Sequence, residues 1–150
     1  MRIYVDTSVI NGLYAQDAEI KKETIRFFKK VKIYHYALYI SEATIEEIEN
    51  TPQKTKRNLL KKVVKEYKMK ILPATEETRR LAREYVKNNL IPKRYFPDAF
   101  QIAIASIYNI PVLISWNFEH IVKMKTKLGV NIINKNKGYP QITICTPKEV

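Results

Sequence analysis

The sequence predicts a three-layer α/β/α domain built on a mainly parallel central sheet. Three observations carry that prediction. Short β-branched and aromatic runs alternate with stretches of helical periodicity along the chain, the pattern of repeated strand–helix units. Two of the runs, RIYV at 2–5 and PVLIS at 111–115, are apolar without alternation, as strands covered on both faces are. The segment AFQIAIASIY is apolar around nearly its whole helical circumference and belongs at the centre. With 150 residues, 45% of them hydrophobic, the chain forms one domain over 1–150. A domain of this length buries about 68–70% of its unfolded surface and needs no disulfide or metal staple.

The elements follow in order. Strand 2–5 stops abruptly at Asp6. From about 17 to 31, the spacing of Ile20, Ile25, Phe27, Phe28 and Val31 marks an amphipathic helix. YALYI (36–40) is a second strand, and Ser41 caps a helix through Ile48 with Glu42 at its positive end. Pro52 breaks the chain before a Lys-rich helix over roughly 53–69, and KILP (70–73) is a third short strand. Thr75 caps the next helix, whose apolar stripe is Leu81, Ala82, Tyr85 and Val86. Pro92 and Pro97 bracket a loop, and Pro97 suits the first turn of the apolar helix that Asp98 opens. Strand 111–115 comes next, and ITI (142–144) is the last.

Charge is the unusual property. Lys and Arg number 27 against 15 Asp and Glu, a net charge of +12 that favours a polyanionic partner. No apolar run approaches the roughly 20 residues of a spanning helix, which argues against a membrane. Cys145 is the only cysteine, so neither a disulfide framework nor a thiolate zinc cluster forms. A cytoplasmic, soluble protein is expected.

Ligands of parallel α/β sheets bind beyond the carboxyl ends of the strands. Asp6 directly follows strand 2–5, and Asn117 follows strand 111–115 by two residues. Glu47 rides the helix after strand 36–40, and Asp98 starts the apolar helix. Each has a bland explanation alone: a turn residue, a solvated carboxylate, a complement to a helix dipole. Their placement at one sheet edge is what matters. Carboxylates gathered there repel one another unless a cation intervenes, and their hard oxygens suit Mg²⁺ or Mn²⁺. Such an ion can activate a water and neutralise charge on a scissile phosphate, so an acidic pocket in a basic surface suits a phosphodiesterase.

Four segments in order resemble the motifs of the PIN-domain family, and in particular the VapC-type toxin ribonucleases of toxin–antitoxin pairs. They are IYVDTSVINGLY, ISEATIEEI with a Glu six residues after its Ser, PDAFQIAIA, and LISWNFEHI. The resemblance implies a metal-dependent endoribonuclease in which Asp6, Glu47 and Asp98 hold Mg²⁺ or Mn²⁺ and Asn117 assists catalysis. Glu46 is the neighbouring rival of Glu47; Glu47 matches the motif spacing and precedes Ile48. Thr7 or Ser8 would donate a hydroxyl within the site. An antitoxin partner and a homodimer are also implied. One departure stands out: many members carry Asp at the fourth position, where this chain has Asn117, which keeps an oxygen acceptor but loses a charge.

Other chemistries fit poorly. A haloacid-dehalogenase-type phosphatase needs a second Asp where Ser8 stands, and no phosphate-cradling glycine motif occurs. His35 and His120 are the only histidines; His35 reads as structural, and His120 stands close enough to Asn117 to contact a phosphate. Residues 54–70 hold eight Lys or Arg against Glu66 alone. Lys61, Lys62 and Lys65 there, with Lys123 from a second basic stretch at 123–137, are candidates for gripping an RNA backbone. A rival reading keeps the RNA and drops the chemistry: a non-catalytic basic RNA-binding module with a degenerate acidic pocket.

Overall fold

The computed structural model describes residues 1–150. Five strands, β1 (Arg2–Val5), β2 (Ala37–Ser41), β3 (Lys70–Leu72), β4 (Val112–Ile114) and β5 (Thr143–Cys145), form one sheet. Their order is β3-β2-β1-β4-β5, and every pairing is parallel. β1 lies in the middle, with Tyr4 in register with Tyr39 on one side and Leu113 on the other.

Because side chains alternate across a strand, β1 feeds two cores. Ile3 and Val5 enter one core, beneath α1 (Thr7–Gly12), α2 (Ala18–Tyr34), α3 (Glu42–Glu49) and α4 (Lys54–Glu66), where Phe27, Phe28, Ile48 and Leu60 are buried. Tyr4 enters the other, beneath α5 (Glu76–Lys87), α6 (Phe96–Ile107) and α7 (Met124–Lys137). The predicted three layers are present. The apolar helix is α6, in which every residue from Ala99 to Ser106 is buried.

Boundaries move by a few residues. The Lys-rich helix ends at Glu66 rather than 69, because Lys68 turns into the left-handed region at φ 49° and Met69 is already entering β3. His35 likewise closes α2 in a left-handed conformation at φ 53°, consistent with a structural role. Two helices lie outside the sequence pattern. α1 has only six residues, too few to show a period. α7 buries Val130 and Ile133 on one side while Met124, Leu128 and Ile132 face solvent, so its apolar residues form no single stripe. No helix is long and apolar enough to cross a membrane.

The topology fixes where a site can form. From β1 the chain builds outward to β2 and β3, then returns to place β4 on the opposite side of β1. The carboxyl ends of β1 and β4 therefore flank the switch point, where connections leave in opposite directions and open a crevice.

Candidate active site

Asp6 occupies that crevice. Its backbone N–H donates to Ile114 O at 3.0 Å, continuing the β1–β4 ladder by one residue, and its carbonyl accepts from Val9 N–H at 2.9 Å as α1 begins. The side chain is thereby fixed between two loops and is only 6% exposed. Asp6 Oδ2 accepts the Ser8 hydroxyl at 2.6 Å and the Ser115 hydroxyl at 2.7 Å. Those short bonds to a charged acceptor are strong and hold the carboxylate in one orientation. Oδ1 makes no hydrogen bond within the protein.

Asp98 lies in the first turn of α6, after Pro97, where a negative charge suits the helix N-terminus. Its Oδ2 accepts Asn117 Nδ2 at 3.1 Å. Asn117 is itself pinned twice: its N–H donates to Ser115 Oγ at 2.9 Å, and its Oδ1 accepts His120 N–H at 2.9 Å in a tight polar turn. Glu47 projects from α3, exposed as a residue, with Oε1 accepting Gln101 Nε2 at 3.3 Å. Gln101 sits one helical turn after Asp98, is 1% exposed, and also reaches Thr7 Oγ1 at 3.4 Å. Its carbonyl oxygen accepts from the Tyr4 hydroxyl and from Thr44 Oγ1.

The four residues singled out from sequence are thus joined through intermediaries. Ser115 ties Asp6 to Asn117 and so to Asp98, while Thr7 and Gln101 tie Glu47 to the residue beside Asp6. Of the two hydroxyls, Ser8 contacts Asp6 and Thr7 contacts Gln101. Glu46 is exposed and has no side-chain bond into this network, although it lines a cavity of about 450 Å³ together with Glu47, Arg79 and Phe96.

The electrostatics report the same proximity. Burial pushes the Asp98 carboxyl up to about 6, with the Asp6 charge adding to the rise and the Asn117 hydrogen bond opposing it. Glu47 is also pushed up, first by desolvation and then by the charges of Asp6 and Asp98, against hydrogen bonds from Thr7 and Gln101. Mutual repulsion of this kind is what a cation relieves.

No three Asp, Glu, His or Cys side chains are arranged as a ready-made metal cage. The donor set nevertheless fits Mg²⁺ or Mn²⁺. These ions use hard oxygens, and Mg²⁺ is commonly held by one or two carboxylates with waters completing the shell. Asp6 and Asp98 supply that number, and Glu47 stands within their field.

The basic candidates are spread out. Lys61 is ion-paired with Glu49 at 2.6 Å, and Lys62 and Lys65 are exposed on α4. α4 runs away from the crevice toward the start of β3, so Lys65 lies about 14 Å further along the helix than Lys56. Lys56 shares a cavity with Ser8 and Trp116 beside Asp6. Lys123 lines a different cavity, with His120. Sequence reasoning missed Gln101 and Ser115, which hold the carboxylates, and Lys56, which lines the cavity beside Asp6. Only Gln101 left a signal, as a lone amide within an otherwise apolar helix, three residues after Asp98.

Comparison with known proteins bears on the family and the fold. A family model described as PIN domain matches residues 3–120. No curated protein matches significantly. Among solved structures, the chain is similar to VapBC2 from Rickettsia felis, crystallised with a DNA fragment of its promoter. That match has a TM-score of 0.61 and 12% identity, covering 96% of this chain and 97% of the other. It is also similar to VapC20 from Mycobacterium tuberculosis, described as a sarcin–ricin-loop-cleaving toxin. There the TM-score is 0.59 and the identity 12%, over 94% of this chain and 98% of the other. At these identities the likeness is one of fold; the family model, which spans well over half the residues, carries the assignment that this chain belongs to the PIN-domain family.

Proposed function

We propose that this chain is a divalent-metal-dependent endoribonuclease, the toxin of a toxin–antitoxin pair acting in the cytoplasm. The observation that carries the reading is a set of three carboxylates, from the end of β1, α3 and α6, gathered at the switch point of a PIN-type sheet, where burial and the charge of Asp6 push the Asp98 and Glu47 carboxyls up. Similarity of fold to a VapC toxin described as sarcin–ricin-loop-cleaving supports the substrate class.

Asp6 and Asp98 would hold Mg²⁺ or Mn²⁺, with Glu47 completing the acidic set. The bound cation supplies charge neutralisation at the scissile phosphodiester and a more acidic coordinated water. The protein's own part is positioning. Ser8 and Ser115 lock Asp6 Oδ2 and leave Oδ1 without a competing donor. Thr7 and Gln101 restrain Glu47, and Asn117 restrains Asp98. Hydrolysis forms a bond from water oxygen to phosphorus as one P–O ester bond breaks, and the leaving oxygen takes up a proton. Lysines around the crevice hold the strand by its phosphates without reading bases. The same net charge of +12 suits an acidic antitoxin segment, and the resemblance to VapC-type toxins extends the reading to a homodimer.

A second reading, a non-catalytic RNA-binding module, is favoured by Asn117 in place of an acid and by the lack of a three-ligand cage. Cleavage of RNA separates the two. Turnover should appear with Mg²⁺ or Mn²⁺, stop with EDTA and be lost in Asp6→Ala. Undiminished cleavage by purified Asp6→Ala would refute the catalytic assignment. Thermal melting adds an independent readout: Mn²⁺ should raise the melting temperature of the wild type by mass action and leave Asp98→Ala unmoved.

A further inference from the structure

Beside the acidic crevice lies a second cavity of about 610 Å³, enclosed by the α5–α6 loop and the segment leading into α7. Its polar lining is Asn89, Lys93, Glu119, His120, Lys123 and Lys125. His120 is 7% exposed, yet neither Nδ1 nor Nε2 has a hydrogen-bond partner. Tyr95 packs against the ring at 4.0 Å between centroids, the two planes tilted by 32°. Glu119 Oε1 lies 3.5 Å from Nε2, too far for a good hydrogen bond, on a side chain 77% exposed. Buried imidazoles are ordinarily satisfied, so an unpartnered one lining a cavity points to an acceptor from outside the chain.

The remaining lining identifies that acceptor as an anion. Three lysines face the cavity against one carboxylate. Lys123 and Lys125 also flank the start of α7, a 14-residue helix with no side-chain cap and no acidic residue in its first turn. Its first amides are open to an anionic oxygen and carry the positive end of the helix dipole. The cavity is coupled to the acidic crevice by a single residue. Asn117 accepts from His120 N–H through Oδ1 and donates to Asp98 through Nδ2.

We propose that this cavity binds a phosphodiester of the RNA strand next to the one held at the acidic cluster, an inference that rests on the ribonuclease reading above. His120 contacts the phosphate oxygens, Lys123 and Lys125 neutralise it, and the start of α7 donates amides. Lys93 closes the opposite wall. The subsite sets the register of the strand, so the bond presented to the carboxylates is fixed by a neighbouring phosphate rather than by base recognition.

Binding of a short single-stranded RNA to the full chain, in EDTA so that nothing is cut, tests the subsite apart from catalysis. Lys123→Ala/Lys125→Ala should weaken binding at least tenfold and lower the slope of log K against log salt by about 1.4, two single-strand contacts. His120→Ala should weaken it several-fold. Lys21→Ala/Lys22→Ala, exposed on α2, removes the same charge elsewhere and should change little. Equal losses in the two double-lysine variants, or none in either, would overturn the proposal. So would a pocket that takes only free anion: inorganic phosphate raising the melting temperature of the wild type but not of Lys123→Ala/Lys125→Ala, while RNA binding is the same in both. Failure of the ribonuclease reading looks different, as Asp6→Ala cleaving at the wild-type rate whatever the binding data show.

Discussion

Asp98→Asn should make the metal-free protein more stable at neutral pH while destroying its activity. Asp98 ordinarily titrates near 3.8, and in the fold it is pushed up to about 6, chiefly by desolvation and then by the Asp6 charge. The folded state therefore holds more protons than the unfolded state between these values, so stability falls as pH rises through the window and the loss is complete above about pH 7. That rise corresponds to at most about 3 kcal/mol. The carboxylate is partly open to water, and screening reduces the figure to about 1 kcal/mol. Asn at 98 keeps an oxygen to accept Asn117 Nδ2, so the swap removes charge with little change of shape. Melting in EDTA should then show Asp98→Asn about 2–4 °C above wild type at pH 7.5, converging with it near pH 4. Added Mn²⁺ should reverse the order by stabilising the wild type alone. A variant that melts below wild type at pH 7.5 without metal would refute the repulsion argument.

Three further outcomes follow from the same contacts. Gln101→Leu should cost about 1–2 kcal/mol and slow cleavage, because it leaves the buried Tyr4 hydroxyl with Ser41 Oγ alone and frees Glu47 and Thr7; denaturant melts and single-turnover assays check both. Asn117→Asp should destabilise the metal-free protein by about 1 kcal/mol through repulsion with Asp98, yet enlarge the Mn²⁺-induced rise in melting temperature. Gly129→Ala should cost about 1–3 kcal/mol in denaturant melts, since a Cβ there collides with the Leu90 side chain at the α7 contact.

Strand–helix alternation makes the sheet readable, and the carboxyl-end rule then assigns Asp6, Glu47, Asp98 and Asn117 to one edge. Both rest on patterns local in sequence. Contacts assembled across distance were not readable. Ser115 reads as the last residue of a strand, and its bond to Asp6 joins positions 109 residues apart. Lys65 is singled out and Lys56 passed over because composition carries no direction; only the path of α4 away from the crevice distinguishes them. α7 was hidden for a related reason. Its apolar residues point both into the core and out to solvent, so the 3.6-residue period is blurred.

Asn117 is where local pattern and assembled site give different answers. By type alone it looks like a lost carboxylate, and hence a weakened metal site. In the fold its amide works at both ends: Nδ2 donates to Asp98, and Oδ1 accepts the His120 backbone N–H. A carboxylate at 117 would keep the second bond and replace the first with repulsion. The amide thus lets Asp98 sit near Asp6 with its charge partly relieved in the absence of a cation. It also anchors the turn that holds His120 over the basic cavity. An acidic crevice and a basic cavity that would pull a phosphate in different directions are held in fixed relation by one neutral side chain. On the ribonuclease reading, a polyanion cut at one phosphate while gripped by the next needs that arrangement, because the carboxylates would repel the strand until a cation sat among them and the lysines would attract it throughout.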